Sequence, residues 1–135
     1  MADHDSRAGP TYLTGAILAY ADATHAPHDE ALRRAFDAPE RAGLAPIQLG
    51  ACEAKLVAML LRLAGARKVV ELGTLAGYSA LVMARALPAD GHLWTVENDP
   101  RAARVARENI AAAGLSGRIT VVEGAALEVL PTLER

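Results

Sequence analysis

The stretch KVVELGTLAGYS, residues 68–79, holds a short apolar run, an acid near its end and two glycines four apart. An apolar run of strand type that gives way to glycine and then to a helical pattern predicts a strand-to-helix turn. The same grammar repeats downstream. HLWTVE, 92–97, reads as a second strand, and RITVVE, 118–123, as a third. A helix over 79–87 is stopped by Pro88. Asp99 followed by Pro100 is a helix start, a side-chain cap and then proline at the first helical position. That helix runs to about Ala113 and ends at Gly114, and a last one runs from about Ala125. Strand and helix in alternation imply parallel pairing with right-handed crossovers, an open doubly wound α/β sheet.

Upstream the pattern is helical. Residues 1–10 read as a frayed tail, 11–23 and 28–38 as helices, and 39–50, broken by proline and glycine, as a loop. A stronger helix follows over 51–64. Its Leu56, Met59, Leu60 and Leu63 fall at i, i+3, i+4 and i+7, the spacing of a buried stripe, and Gly65 follows as a C-terminal cap. The chain of 135 residues therefore divides into a helical cap segment, 1–50, and a sheet-bearing part, 51–135.

Composition narrows the function classes. Hydrophobic residues make up 52% and charged residues 22%, enough apolar material for the core of one domain. Net charge is −2, which advertises neither nucleic acid nor a membrane surface as partner. Cys52 is alone, so no disulfide framework or cysteine-rich metal site is expected, and it reads as a small core residue. The polar start lacks an apolar signal core and no run approaches a membrane span, so the expected location is cytoplasmic.

In such sheets ligands bind outside the carboxyl ends of the strands. Glycine at 73 and 77 would let a ligand approach the backbone, and the free N–H groups of the helix beginning near Ser79 favour an anionic group. A P-loop needs a different glycine spacing and a lysine. The dinucleotide fingerprint begun at Gly73 would need glycine where the chain has Leu75 and Tyr78. Both fail. Glu97 nevertheless closes the second strand, where an acid accepts hydrogen bonds from ribose hydroxyls. A site that reads ribose without a pyrophosphate signature fits an adenosyl ligand such as S-adenosylmethionine. Glu71 would lie near its amino or sulfonium end, and Ser79 with the helix start would suit its carboxylate.

GLAPIQLG, the block 65–115 and VVEGAALEVLP resemble the S-adenosylmethionine-dependent O-methyltransferases of the caffeoyl-CoA and catechol type, over about residues 40–133. The resemblance implies a Rossmann-like class I methyltransferase fold, here with three parallel strands in the order 3-2-1. It implies that Glu71, Gly73 and Gly77 shape a cofactor loop lined by Thr74, Leu75 and Tyr78, and that Ser79 holds the methionine carboxylate. Glu97 would bind the ribose, Asn98 would lie beside the adenine, and Gly124 and Ala125 would present backbone to its edge. Leu49 would cover the cofactor. The chain departs from the family at Glu53–Ala54, often Gln-Gly, and at Ala125–Ala126, often polar.

The family's further strands, with the aspartates that hold a divalent metal such as magnesium, are absent from these residues. The first strand would be central in the family and is an edge here. The expectation is therefore a truncated chain, a homodimer, or a separate partner that completes the sheet. The implied activity is methyl transfer to a hydroxyl of a small catechol-like or hydroxycinnamoyl-like acceptor, with no residue assigned as base or metal ligand. A non-catalytic cofactor-binding or interaction module is the alternative; a nucleotide-dependent oxidoreductase is disfavoured by Leu75 and Tyr78.

Other residues take plainer readings. His25, His28 and Asp29 read as a polar loop and helix start rather than a metal site. Glu53 and Lys55 read as solvated, Trp94 as strand packing, and Arg101, Arg104 and Arg107 as a solvated helix face. Tyr12 and Tyr20 read as packing residues.

Overall fold

The computed structural model describes residues 14–133. The 1–10 tail, Tyr12 and the expected first turn of the first helix lie outside them. Helices α1 (Gly15–His25), α2 (Glu30–Phe36), α3 (Ala38–Arg41) and α4 (Ala51–Leu63) come first. Then β1 (Lys68–Leu72), α5 (Tyr78–Ala86), β2 (His92–Glu97), α6 (Pro100–Ala112), β3 (Ile119–Glu123) and α7 (Ala126–Leu133) alternate. The sheet is parallel throughout, in the order β1-β2-β3, with Val69 opposite Leu93 and Leu93 opposite Ile119. This is the expected half of a doubly wound sheet.

Local chemistry explains the boundaries. Asp29 caps α2 by accepting from Leu32 N at 2.9 Å, and Asp99 caps α6 by accepting from Arg101 N at 2.8 Å. Gly65 takes a left-handed φ of +60° just beyond α4, where a residue with Cβ pays a steric penalty. The 39–50 loop begins later than expected, because Pro39 sits in the first turn of α3, where its missing N–H costs nothing. Glu53 is exposed but not idle: its carboxylate accepts from Gly50 N at 2.7 Å at the start of α4.

One core joins the sheet to the helices. Leu81, Leu93, Ala80, Ala84, Ala106 and Ile119 are buried together, with Ala35 of α2 and Ala54 of α4. The expected stripe on α4 is a correction. Leu56, Met59, Leu60 and Leu63 are exposed, and the buried face is Ala51, Ala54 and Ala58. Small side chains let α4 lie close against α5, so the bulky residues are turned outward. Periodicity finds an apolar face but does not say which of two apolar faces is packed. Cys52 is also corrected: it is half-buried, beside Asp22, whose carboxylate accepts from Cys52 N at 3.1 Å. Trp94 is half-buried and packs on the His92 ring, with centroids 4.4 Å apart. Tyr20 is exposed.

Candidate functional site

A cavity of about 680 Å³ opens at the carboxyl ends of β1 and β2. The loop Glu71–Ala76 forms its floor, Ile47, Gln48 and Leu49 one wall, and Glu97, Asp99 and Arg101 another. Tyr78 and Ser79 enter from the first turn of α5. Of the expected residues, Leu49, Glu71, Gly73, Thr74, Leu75, Tyr78, Ser79 and Glu97 are brought together here. Gly77, Asn98, Gly124 and Ala125 do not line it.

Glu97 organises the loop. Its Oε2 accepts from Thr74 N at 3.0 Å and Leu75 N at 2.8 Å, and its Oε1 accepts from Asp99 N at 2.9 Å. Leu75 has φ +51°, a left-handed conformation that a leucine adopts only under constraint. The two hydrogen bonds at 74 and 75 supply it. The backbone ladder also continues past the strand ends, with Gly73 N donating to Val96 O and Gly124 N to Glu97 O, both at 2.9 Å.

Glu71 sits deeper. Ser79 Oγ donates to its Oε1 at 2.5 Å and Thr95 Oγ1 to its Oε2 at 2.6 Å. Thr95 is fully buried, and its hydroxyl proton is committed to Glu71, so Thr74 must donate to it across their 2.6 Å contact. Burial pushes the Glu71 carboxyl above the usual carboxylate range, against the pull of the two hydroxyls, and the charge of Glu97 pushes the same way.

Tyr78 forms the back wall. Its hydroxyl meets His28 Nε2 at 2.7 Å, and Phe36 packs edge-on against its ring. Burial raises the Tyr78 pKa to about 12 and lowers that of His28. A neutral imidazole and a protonated tyrosine thus share one hydrogen bond, whose donor is set by the imidazole tautomer. His28 lies in the loop before α2, as expected, but is half-buried and supports this wall. Among the described residues no group of three His, Cys, Asp or Glu converges to hold a metal ion.

The glycines divide by task. A Cβ on Gly73 (φ +86°) would meet nothing within 4 Å, so this position is open to the cavity. A Cβ on Gly77 (φ +84°) would lie 3.4 Å from Ala106 Cβ, in contact with α6, so this position faces α6 rather than the cavity. Sequence reasoning also missed Asn109 and Arg101. Asn109 is buried and donates from Nδ2 to Ala76 O at 2.9 Å, while its Oδ1 accepts from Arg34 Nε at 3.2 Å. It ties the loop to α6 and α2, yet an asparagine in a charged helix gives no such signal in sequence. Arg101 pairs with Asp99 and lines the cavity, whereas Arg104 and Arg107 pair with Glu108 and Glu123 on the exposed face. Asn109→Ala is expected to destabilise the fold by about 1–3 kcal/mol, because it leaves the Ala76 carbonyl without its partner. Urea unfolding of both chains measures it.

Comparisons with known proteins converge on this architecture. The O-methyltransferase family profile matches residues 22–135. The catechol O-methyltransferase of Niastella koreensis is 43% identical over 105 residues, 78% of this chain and 48% of that protein. The crystal structure of the O-methyltransferase TomG from Streptomyces achromogenes, involved in tomaymycin synthesis and in complex with SAM, superposes with a TM-score of 0.85 at 38% identity. That match covers 89% of this chain and 54% of that one. An O-methyltransferase from Bacillus cereus in complex with SAH gives 0.84 at 33% identity, covering 88% and 54%. The chain thus spans about half the length of the relatives it matches. With the profile over most of its length and the strand-end loop in place, the chain belongs to the O-methyltransferase family.

Proposed function

We propose that the cavity holds S-adenosylmethionine and that the chain carries the cofactor half of an O-methyltransferase acting on a hydroxyl of a small acceptor, catechol-like or hydroxycinnamoyl-like. The observation that carries this is two strand-end carboxylates, Glu71 and Glu97, on one cavity with the start of α5 between them. Both solved relatives with SAM or SAH support it.

The residues fit the ligand's chemistry. Glu97 retains one free acceptor site, on Oε1, for a ribose hydroxyl. Glu71 supplies negative charge for the ammonium and sulfonium end. The N–H groups at the start of α5, where the resemblance puts Ser79, suit the carboxylate, while the Ser79 hydroxyl itself donates to Glu71. Gly73, Thr74 and Leu75 bring bare backbone beneath the ligand, Tyr78 closes the back, and Leu49 covers from the α3–α4 loop. Asn98, Gly124 and Ala125 are assigned to the adenine end by the resemblance alone. Gly77 serves through the shape of the loop. The cofactor, when bound, supplies an electrophilic methyl group, and the chain's contribution is to fix its orientation. The described residues do not fit a metal site, so no step through a metal and no catalytic base is assigned. A non-catalytic binding module completed by a partner chain is the second reading, favoured by the open edge of β1.

Calorimetric titration with S-adenosylhomocysteine tests the site. Micromolar binding is expected, about −8 kcal/mol. The ligand's ammonium favours ionised Glu71, and burial raises the pKa of that group in the free chain. Affinity is therefore full above the raised pKa and falls as pH drops through it, starting above the ordinary carboxylate range. Stability runs the other way: a carboxyl raised on folding stabilises most in acid, and that contribution is lost as pH rises through the folded value. Glu71→Gln is expected to weaken binding and flatten its pH dependence. A cooperatively folded chain with no affinity for the ligand sinks the cofactor reading.

A further inference from the structure

One face of the sheet changes character toward its carboxyl end. On β2 that face carries Leu93, then Thr95, then Glu97; on β1 it carries Val69, then Glu71. Leu93 belongs to the apolar core and Glu97 reaches the cavity. Thr95 stands between them, directly opposite Glu71 in the parallel register. It is fully buried and does not line the cavity. A hydroxyl in a dry site costs free energy unless it is hydrogen-bonded, and a valine of nearly the same shape would carry no such cost. The Thr95 hydroxyl is bonded twice, and both partners lie in the cavity floor: Glu71 Oε2 and Thr74 Oγ1, each at 2.6 Å.

The acid at the end of this chain of hydroxyls fixes its donors. An ionised carboxylate only accepts. Thr95 gives its one proton to Oε2, Thr74 donates in turn to Thr95, and Ser79 donates to Oε1 at 2.5 Å. The two hydroxyls on Glu71 come from different elements, Ser79 from the first turn of α5 and Thr95 from β2, so the carboxylate is clamped between helix and sheet. Ser79 lines the cavity, where a ligand can compete for its proton. Thr95 is out of a ligand's reach, and its donor Thr74 is 2% exposed. The Thr95 bond is therefore the one that persists when the cavity fills. Burial opposes ionisation of Glu71, the Ser79 and Thr95 hydroxyls favour it, and the charge of Glu97 at the end of β2 opposes it. Of the other groups on the cavity, Asp99 and Arg101 at the start of α6 pair with each other, and Tyr78 of α5 keeps its proton, with its pKa pushed up to about 12.

We propose that Thr95 is the positioning residue for Glu71: its hydroxyl, oriented by Thr74, holds Oε2 against the sheet, so that the carboxylate meets the ammonium end of the cofactor in one orientation. Its bearing on the cofactor rests on the reading above, whereas the clamp itself exists in the ligand-free chain and is measurable there. A bond to the charged form of an acid lowers its pKa, so Thr95 keeps Glu71 anionic at a lower pH than burial alone would allow. A carboxylate fixed before the ligand arrives also need not be ordered on binding. Neither effect requires Thr95 to touch the ligand; it acts through Glu71.

Two variants separate the hydroxyl from the packing. Thr95→Val removes the hydroxyl and keeps the branched shape; Thr95→Ser keeps the hydroxyl and removes the methyl group. Carbon-13 NMR of the side-chain carboxyls, with the Glu71 signal assigned through Glu71→Gln, follows the titration in the ligand-free chain. With valine, Glu71 is expected to hold its proton about tenfold more tightly, and with serine to stay within about twofold of the native chain. Calorimetry with S-adenosylhomocysteine, at a pH where Glu71 is ionised in every chain, is expected to show about tenfold weaker binding with valine and near-native binding with serine. A packing role for Thr95 predicts the reverse, since serine and not valine leaves a void. Should Thr95→Val fail to fold, Thr74→Val decides: it leaves the Thr95 hydroxyl without its donor, and a proton held about threefold more tightly on Glu71 is expected. A folded valine chain that titrates as the native one does, or a serine chain that shifts as far as the valine chain, overturns the proposal. The expected shift in a protein that binds no ligand supports the clamp and sinks the cofactor reading alone.

Discussion

Glu97→Ala is expected to lower affinity for S-adenosylhomocysteine about a hundredfold, close to 2.7 kcal/mol. Two effects combine. The proposed hydrogen bond from a ribose hydroxyl to the carboxylate is charge-assisted, about 1.5–3 kcal/mol in a dry site. The same carboxylate accepts from Thr74 N, Leu75 N and Asp99 N, and so holds Leu75 in its left-handed conformation. With alanine the loop is released before any ligand arrives, and binding must order it again. The two effects separate by ligand. An analogue without ribose hydroxyls should bind the native chain more weakly and lose little further on substitution if ribose reading dominates. It should lose as much as the parent ligand if loop ordering dominates. Native affinity in the alanine chain removes Glu97 from the site altogether. A fall in Tm of a few degrees is expected from the loop, and its absence would show that the three backbone bonds are exchanged freely for water.

The strands, their order and the helix starts were legible because they are local. Val and Ile runs, an Asp before a Pro, and a Gly after a helix each act within a few residues. The site was legible where it lies on one such turn, Glu71 to Ser79, and at Glu97, whose place at a strand end is itself local. What was not legible is long-range. The alanine face of α4 is buried because α5 packs against it, and no pattern within α4 records that. Thr95 matters because it stands one strand away from Glu71, and Asn109 because α6 passes beneath Ala76. His28 meets Tyr78 across fifty positions of sequence. In each case the partner is chosen by packing, and the residue alone carries no sign of it.

Gly77 gives the sharpest separation of these two kinds of information. In sequence it pairs with Gly73 as a bare loop position; in the fold its missing Cβ faces the Ala106 backbone of α6, with Cα at 3.5 Å and O at 3.6 Å from where a Cβ would stand. Gly77→Val is expected to destabilise the chain by about 2–5 kcal/mol, from about 1–2 kcal/mol for a left-handed residue with Cβ and about 1–3 kcal/mol for its γ-methyl groups forcing α6 away. Against a typical domain stability of about 5–15 kcal/mol, that is a large fraction. Gly73→Val shares the left-handed φ but meets open space, so its stability loss should stop near the first figure while ligand affinity falls, its side chain now standing in the cavity. Urea unfolding and calorimetry of both chains decide the matter. Equal stability losses would mean that conformation alone dictates glycine at both positions and that α6 yields to the added side chain. A Gly77 chain that folds normally but loses only ligand would return that residue to the ligand-facing role the sequence first gave it.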